Sequence, residues 1–162
     1  MADAVLCLYS LPPREEAVRR GFVRAWGEER AFAFWEGLHR DLLYENGAGC
    51  PWDLVVMTST RAAVGELGAL APPGTRVELA PGEGQWGLEA AFARLAGSHG
   101  RIVLAAGDLP GLTQERVSEL FRAFEAGARV AFLRERQNRF SAIGMAPFDA
   151  RFIFAVLAVG LP

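Results

Sequence analysis

Hydrophobic residues along this chain follow two rhythms. Val5-Leu6-Cys7-Leu8-Tyr9 and Ile102-Val103-Leu104-Ala105-Ala106 are short unbroken apolar runs, the pattern of strands covered on both faces, and Asp53-Leu54-Val55-Val56-Met57-Thr58 reads as another. Between them, apolar residues recur at helical spacing. Ala31, Phe34, Trp35, Leu38 and Leu42 mark one face of a helix from Glu28 to Glu45, with Asn46-Gly47 as its stop. Leu88, Ala91, Phe92 and Leu95 predict a second helix ended by Gly97. Val117, Leu120, Phe121 and Phe124 predict a third, capped by Thr113 and closed by Gly127. Thr60 is placed to cap a shorter helix carrying Val64, Leu67 and Leu70 before Pro72-Pro73-Gly74 breaks it. Arg14 to Trp26 is a less regular helical stretch, while Arg76 to Leu79, Val130 to Leu133 and Ser141 to Met145 are further strand candidates.

Strands alternating with helices predict an α/β fold, a three-layer sandwich whose mostly parallel central sheet has helices on both faces and right-handed connections. Residues 1–162 read as one domain, a length at which a hydrophobic content of 51% suffices for a core. In such sheets ligands bind beyond the carboxyl ends of the strands, where the strand order reverses. That rule directs attention to the loops after Tyr9, Ala106 and Leu133.

Charge and cysteine usage narrow the function classes. A formal net charge of −2 with 22% charged residues supplies no global basic field for nucleic acid. The 17 basic residues are all arginine, which removes Schiff-base lysines and the lysine of a phosphate-binding loop from consideration. Cys7 and Cys50 have neither disulfide-framework nor zinc spacing, and the amino terminus lacks the basic and apolar regions of a signal peptide. A cytoplasmic protein is expected. The apolar run Phe152 to Val159 is shorter than the ~18 residues of a membrane span and is expected to pack on the domain or on a partner copy, forming a homo-oligomer.

Among residues able to carry chemistry, Asp108 stands out because Gly107-Asp108-Leu109-Pro110 directly follows the most apolar strand. A carboxylate there needs a cation, hydrogen-bond donors or water. Three readings are open: a metal ligand, a cap for the following helix, and an Asx turn. His39, His99 and the serines lack the context of a nucleophile with its base, and Gly82-Glu83-Gly84 lacks dinucleotide-fingerprint spacing. Of the tryptophans, Trp26, Trp35 and Trp52 hold plausible packing positions, leaving Trp86 as the candidate for stacking on a base.

The stretch from Gln85 through Pro110, a glycine turn, amphipathic helix, apolar strand and Gly-Asp-Leu-Pro-Gly-Leu, resembles the nucleotide-diphospho-sugar transferase (GT-A fold) superfamily. It is most similar to small bacterial glycosyltransferases of the arsenosugar-biosynthesis type, and more distantly to the guanylyltransferases of molybdenum cofactor and phospholactate metabolism. A weaker likeness runs through Pro13, Val18, Arg19, Gly27, Glu29, Ala31 and Asp41. The resemblance implies a metal-dependent glycosyl- or nucleotidyltransferase-like protein acting on a nucleotide or nucleotide sugar. Asp108 would hold Mg2+ or Mn2+, and Arg14, Arg19, Gln85 and Gly87 would contact the nucleotide and its phosphates. The alternative is an inactive relative that serves as a nucleotide-binding or assembly module.

Departures from the family pattern bear on that choice. Where relatives carry Gly-x-Val-Lys-Thr-Arg-Leu, this chain has Glu16-Ala17-Val18-Arg19-Arg20-Gly21-Phe22, so a planar arginine fork replaces a compact ammonium. The other reading of Arg14, Arg19 and Arg20 is the solvated face of a helix. Gln137-Asn138-Arg139-Phe140 stands where relatives have an acidic residue and two glycines that let backbone approach a sugar. Relatives also continue further past the Ile-Gly strand, which predicts a shortened carboxyl-terminal region, completed by another subunit in a third reading.

Overall fold

The computed structural model describes residues 2–82, 84–134 and 140–151, with backbone alone at 84–86 and 140. The apolar run 152–159 and residues 137–139 therefore lie outside the described residues. The element order is β1 (Ala4–Tyr9), α1 (Pro13–Arg19), α2 (Phe22–Trp26), α3 (Glu28–Gly47), β2 (Asp53–Thr58), α4 (Arg61–Leu70), β3 (Arg76–Leu79), α5 (Gly84–Ala96), β4 (Arg101–Ala106), α6 (Gln114–Glu125), β5 (Val130–Arg134) and β6 (Phe140–Met145). Among the described residues no helix is long and apolar enough to cross a membrane.

The strands form a six-stranded sheet in the order β3-β2-β1-β4-β6-β5. β1 pairs in parallel with β2 and β4, β2 pairs in parallel with β3, and β6 runs antiparallel to both β4 and β5. The mostly parallel sheet expected from the alternating pattern is thus present, with one antiparallel strand inserted between β4 and β5.

Two-sided burial explains why the central strands lack polar alternation. Leu6, Leu8, Val56 and Val103 point into one core layer with Leu42 and Leu43 of α3, Leu67 of α4 and Val117, Leu120, Phe121 and Phe124 of α6. Val5, Cys7, Val55, Met57, Ile102 and Leu104 point the other way, onto Ala91, Phe92 and Leu95 of α5. Each fully buried large side chain contributes roughly 1.5–3 kcal/mol relative to exposure. Burial also pushes the Cys7 thiol well above its ordinary range, making it an inert core residue.

The helix ends follow the local signals. Thr60 accepts a hydrogen bond from the Ala63 amide and Thr113 one from the Arg116 amide, satisfying donors that the first turn leaves open. The irregular stretch from 14 to 26 resolves into two short helices because Gly21 takes φ 76°, a left-handed conformation that breaks the helical path. α1, α2 and the first half of α3 enclose a small separate cluster of Ala17, Ala31 and Trp35. Trp35 and Trp52 are buried as their spacing predicts, but Trp26 is largely exposed, standing edge-on to Phe22 and Phe34 at the surface. A helix of five residues has too little apolar surface to seal both sides of an indole.

Candidate functional site

The strand order reverses between β1 and β4: the chain passes from β1 to β2 on one side, and β4 flanks β1 on the other. A crevice at the carboxyl ends of these two strands is where an open α/β sheet accommodates ligands. The parallel ladder continues past both strand ends, since the Gly107 amide donates to the Tyr9 carbonyl (2.7 Å) and the Ser10 amide to the Met57 carbonyl (2.9 Å). The two loops touch here. A Cβ on Gly107 would lie 2.5 Å from the Ser10 Cβ and 3.0 Å from its Cα, so only glycine lets the chain after β4 lie against the chain after β1.

That approach delivers Asp108 to α1. Glu16, Arg19 and Arg20 stand at i, i+3 and i+4 around the last turn of this helix and its cap. Arg19 Nε donates to Glu16 Oε2 (3.1 Å), and its Nη2 donates to Glu16 Oε1. Arg20 Nε donates to the same Glu16 Oε1 (2.9 Å), while its Nη2 reaches across to Asp108 Oδ2. Arg19 Nη2 stands 3.6 Å from Asp108 Oδ2. The result is a closed set of two carboxylates and two guanidiniums.

Burial within the set is unequal. Side-chain exposure is 2% for Glu16 and 12% for Asp108, against 54% for Arg19 and 46% for Arg20. The carboxylates are the inner members and the guanidiniums face outward. Burial on its own would raise the Glu16 pKa, but the hydrogen bonds and charges of Arg19 and Arg20 outweigh it and hold the carboxyl below its ordinary value. Glu16 is therefore an anion fixed behind both arginines.

His39 supports the same loop from below. It is buried, with Nδ1 2.8 Å from the Trp35 carbonyl and Nε2 3.1 Å from the Leu11 carbonyl, and burial lowers its pKa despite both contacts. A neutral imidazole donates from one nitrogen only, and it is donation from Nε2 to Leu11 that ties α3 to the loop after β1, since Trp35 lies on α3 itself.

Of the residues expected from sequence to form the site, Arg19 and Asp108 come together and Arg14 does not. The Arg14 guanidinium lies over the Phe32 ring, 5.1 Å from its centroid, an attachment to α3. Gly87 is buried, and a Cβ there would fall 2.4 Å from the Gly82 carbonyl oxygen, so this glycine serves the packing of its own loop against the first turn of α5. The Tyr9 hydroxyl stands 3.4 Å from the same Gly82 oxygen, which places the start of α5 at the β1 end of the crevice. The side chains of Gln85 and Trp86 lie outside the described residues. Gly144 is likewise a packing glycine, since its Cβ would meet the Phe124 ring at 2.6 Å. Glu16 escaped the sequence reading, and Arg20 was legible only as a displaced basic residue. The available signal was the Glu-x-x-Arg-Arg spacing on one helical turn.

Whether these residues suit the divalent cation implied by the family likeness follows from the donor set. Among the described residues no group of three or more His, Cys, Asp and Glu side chains could hold a metal ion. A cation on Asp108 would have to share its carboxylate with Arg20 and stand beside two guanidinium charges. The residues gathered here do not fit a resident metal ion.

No family model and no curated protein matches the sequence. Solved structures do match in three dimensions. A candidate nucleotide-diphospho-sugar transferase from Desulfovibrio desulfuricans G20 superposes with a TM-score of 0.80 at 17% identity, covering 94% of this chain and 68% of that one. This chain has the nucleotide-diphospho-sugar transferase fold. Rv0371c from Mycobacterium tuberculosis H37Rv aligns with 99% of this chain and 77% of its own at a TM-score of 0.55 and 15% identity. The 4-diphosphocytidyl-2C-methyl-D-erythritol synthase of Anaerococcus prevotii DSM 20548 aligns with 96% of this chain and 74% of its own, at a TM-score of 0.56 and 8% identity. At such identities the likeness establishes the architecture, and the chemistry rests on the site.

Proposed function

We propose that this chain binds a nucleotide-activated substrate across the carboxyl ends of β1 and β4 and transfers its glycosyl or nucleotidyl group. The observation that carries this reading is the set of outward-facing Arg19 and Arg20 beside Asp108 at the point where the strand order reverses. Both transfers build negative charge on phosphate oxygens, on the departing diphosphate in one case and around the attacked phosphorus in the other. Guanidinium forks match those oxygens in pairs. Their contribution would be positioning and charge neutralisation in a cleft that holds them in place beforehand. The loop at Pro81–Gly82 and the first turn of α5 border the same end of the sheet, next to Tyr9, where a nucleoside could lie.

A specific observation favours a second reading, a nucleotide-binding module without transfer. Glu16 and Asp108 both accept from arginine, so neither is poised to take a proton from an acceptor hydroxyl. Calorimetric titration with nucleoside triphosphates and nucleotide sugars, followed by chromatography of each mixture with candidate acceptors, separates the two. Binding with release of nucleoside diphosphate or pyrophosphate supports transfer. Binding with the ligand recovered intact supports the module, and the absence of any binding removes both.

A further inference from the structure

We infer that Arg19 and Arg20, held from behind by Glu16 and Asp108, form a site for a diphosphate group that works without a divalent cation. The inference rests on the nucleotide-binding reading above and deepens it: Asp108 acts as an anchor for arginine in place of a metal ligand.

Three observations carry it. The first is order of burial. Both carboxylates lie inward and both guanidiniums are about half exposed, so a ligand arriving through the crevice meets cations first. A phosphate oxygen finds donors there, whereas a metal ion finds like charge ahead of both carboxylates.

The second is donor accounting. A guanidinium has N–H donors on Nε and on both Nη atoms. Arg19 and Arg20 each spend Nε and Nη2 on Glu16 or Asp108, and among the described residues neither Nη1 has a partner. Each arginine is therefore locked on one edge and open on another. Such a fork loses little further freedom when it binds, which is the condition for a preorganised anion site.

The third is charge balance. Two guanidiniums and two carboxylates cancel, so the site attracts a phosphate through local hydrogen bonds more than through a long-range field. Neutralising one anchor should leave net positive charge and strengthen binding. A metal-ligand role for Asp108 predicts the reverse.

The test uses inorganic pyrophosphate and the diphosphates of adenosine, guanosine, cytidine and uridine, titrated calorimetrically into the full chain in magnesium and again in EDTA. Affinity that stays within about threefold on chelation is expected, because each guanidinium can supply charge-assisted bonds itself. Asp108→Asn keeps an acceptor for Arg20 but removes the charge, and should bind pyrophosphate as tightly as the parent or more so. Arg20→Ala should weaken it by about tenfold, the effect of losing one charge-assisted contact. Arg20→Lys, which keeps charge but cannot span Glu16 and Asp108, should recover only part of that loss, and circular dichroism verifies that each variant is folded. Diphosphate binding that needs magnesium and is lost in Asp108→Asn would overturn the inference while leaving the nucleotide-binding reading intact. Binding of none of these ligands under either condition would overturn both.

Discussion

At the amino end of β4, Arg101 is the inner partner of its ion pairs. Its side chain is 28% exposed, while Asp3 and Glu125, which it holds at 3.1 and 2.8 Å, are 66% and 60% exposed. At the carboxyl end of the same strand the arrangement is inverted, with Glu16 and Asp108 inside and two arginines outside. Both sets join the β1 side of the sheet to the β4 side, yet they present opposite faces to solvent. The lower set shows carboxylates to water and has only a staple's work to do, joined there by His99 Nε2 against Asp53 Oδ2 at 3.1 Å. The upper set shows guanidiniums to the crevice. Which member of an ion pair is buried, more than the presence of the pair, decides what a ligand encounters.

Substitutions at the two ends should separate these roles. The largest effect is expected from Gly107→Ala, which forces a methyl group against the Ser10 Cβ and Cα and pries apart the loops that form the upper set. Overpacking of this kind costs roughly 1–3 kcal/mol, read as a lower urea midpoint, and nucleotide affinity should fall with it. An unchanged midpoint would mean that the β1–β4 junction yields readily. Glu16→Gln comes next. It removes the charge behind both arginines, whose half-exposed heads can regain water, so a loss of about 1.5 kcal/mol is expected by the same measurement. A stability equal to the parent would show that Glu16 is dispensable as an anchor.

Arg101→Ala should cost less than about 1 kcal/mol, since its partners are mostly solvated, and should leave pyrophosphate titrations unaltered. A loss of ligand binding in that variant would dissolve the distinction between the two ends. The smallest effect lies in pH dependence. Because the Glu16 pKa in the folded chain is held below its ordinary 4.5, its contribution is fully present above that value and fades as pH falls through the folded value. The Asp53 pKa is also depressed, its burial being outweighed chiefly by the His99 hydrogen bond, so both ends contribute to acid lability. Comparing urea midpoints between pH 6 and pH 3 isolates one share: Glu16→Gln should show a shallower decline than the parent, while Asp53 continues to titrate. Parallel curves would assign the acid limb to carboxylates other than Glu16, such as Asp53 and Asp149.

Local patterning along the chain is enough for the elements and their layering. Val5 to Tyr9 and Ile102 to Ala106 are legible as two-sided strands because burial on both faces leaves no room for polar alternation, and Thr60 and Thr113 mark helix starts because capping acts within one turn. The position of Asp108 just past β4 was readable for the same local reason. Its partners were not. Arg20 lies 88 residues away in the chain and meets Asp108 only because β1 and β4 are neighbours in the sheet and Gly107 lets their loops touch. Burial order was equally invisible: Glu16 and Arg19 share one helical turn, and only the packed chain buries the first and leaves the second half exposed. Short-range patterning specifies which groups exist and on which elements they ride. The pairing of distant strands alone decides which charges face inward, and so whether Asp108 meets a metal ion or an arginine.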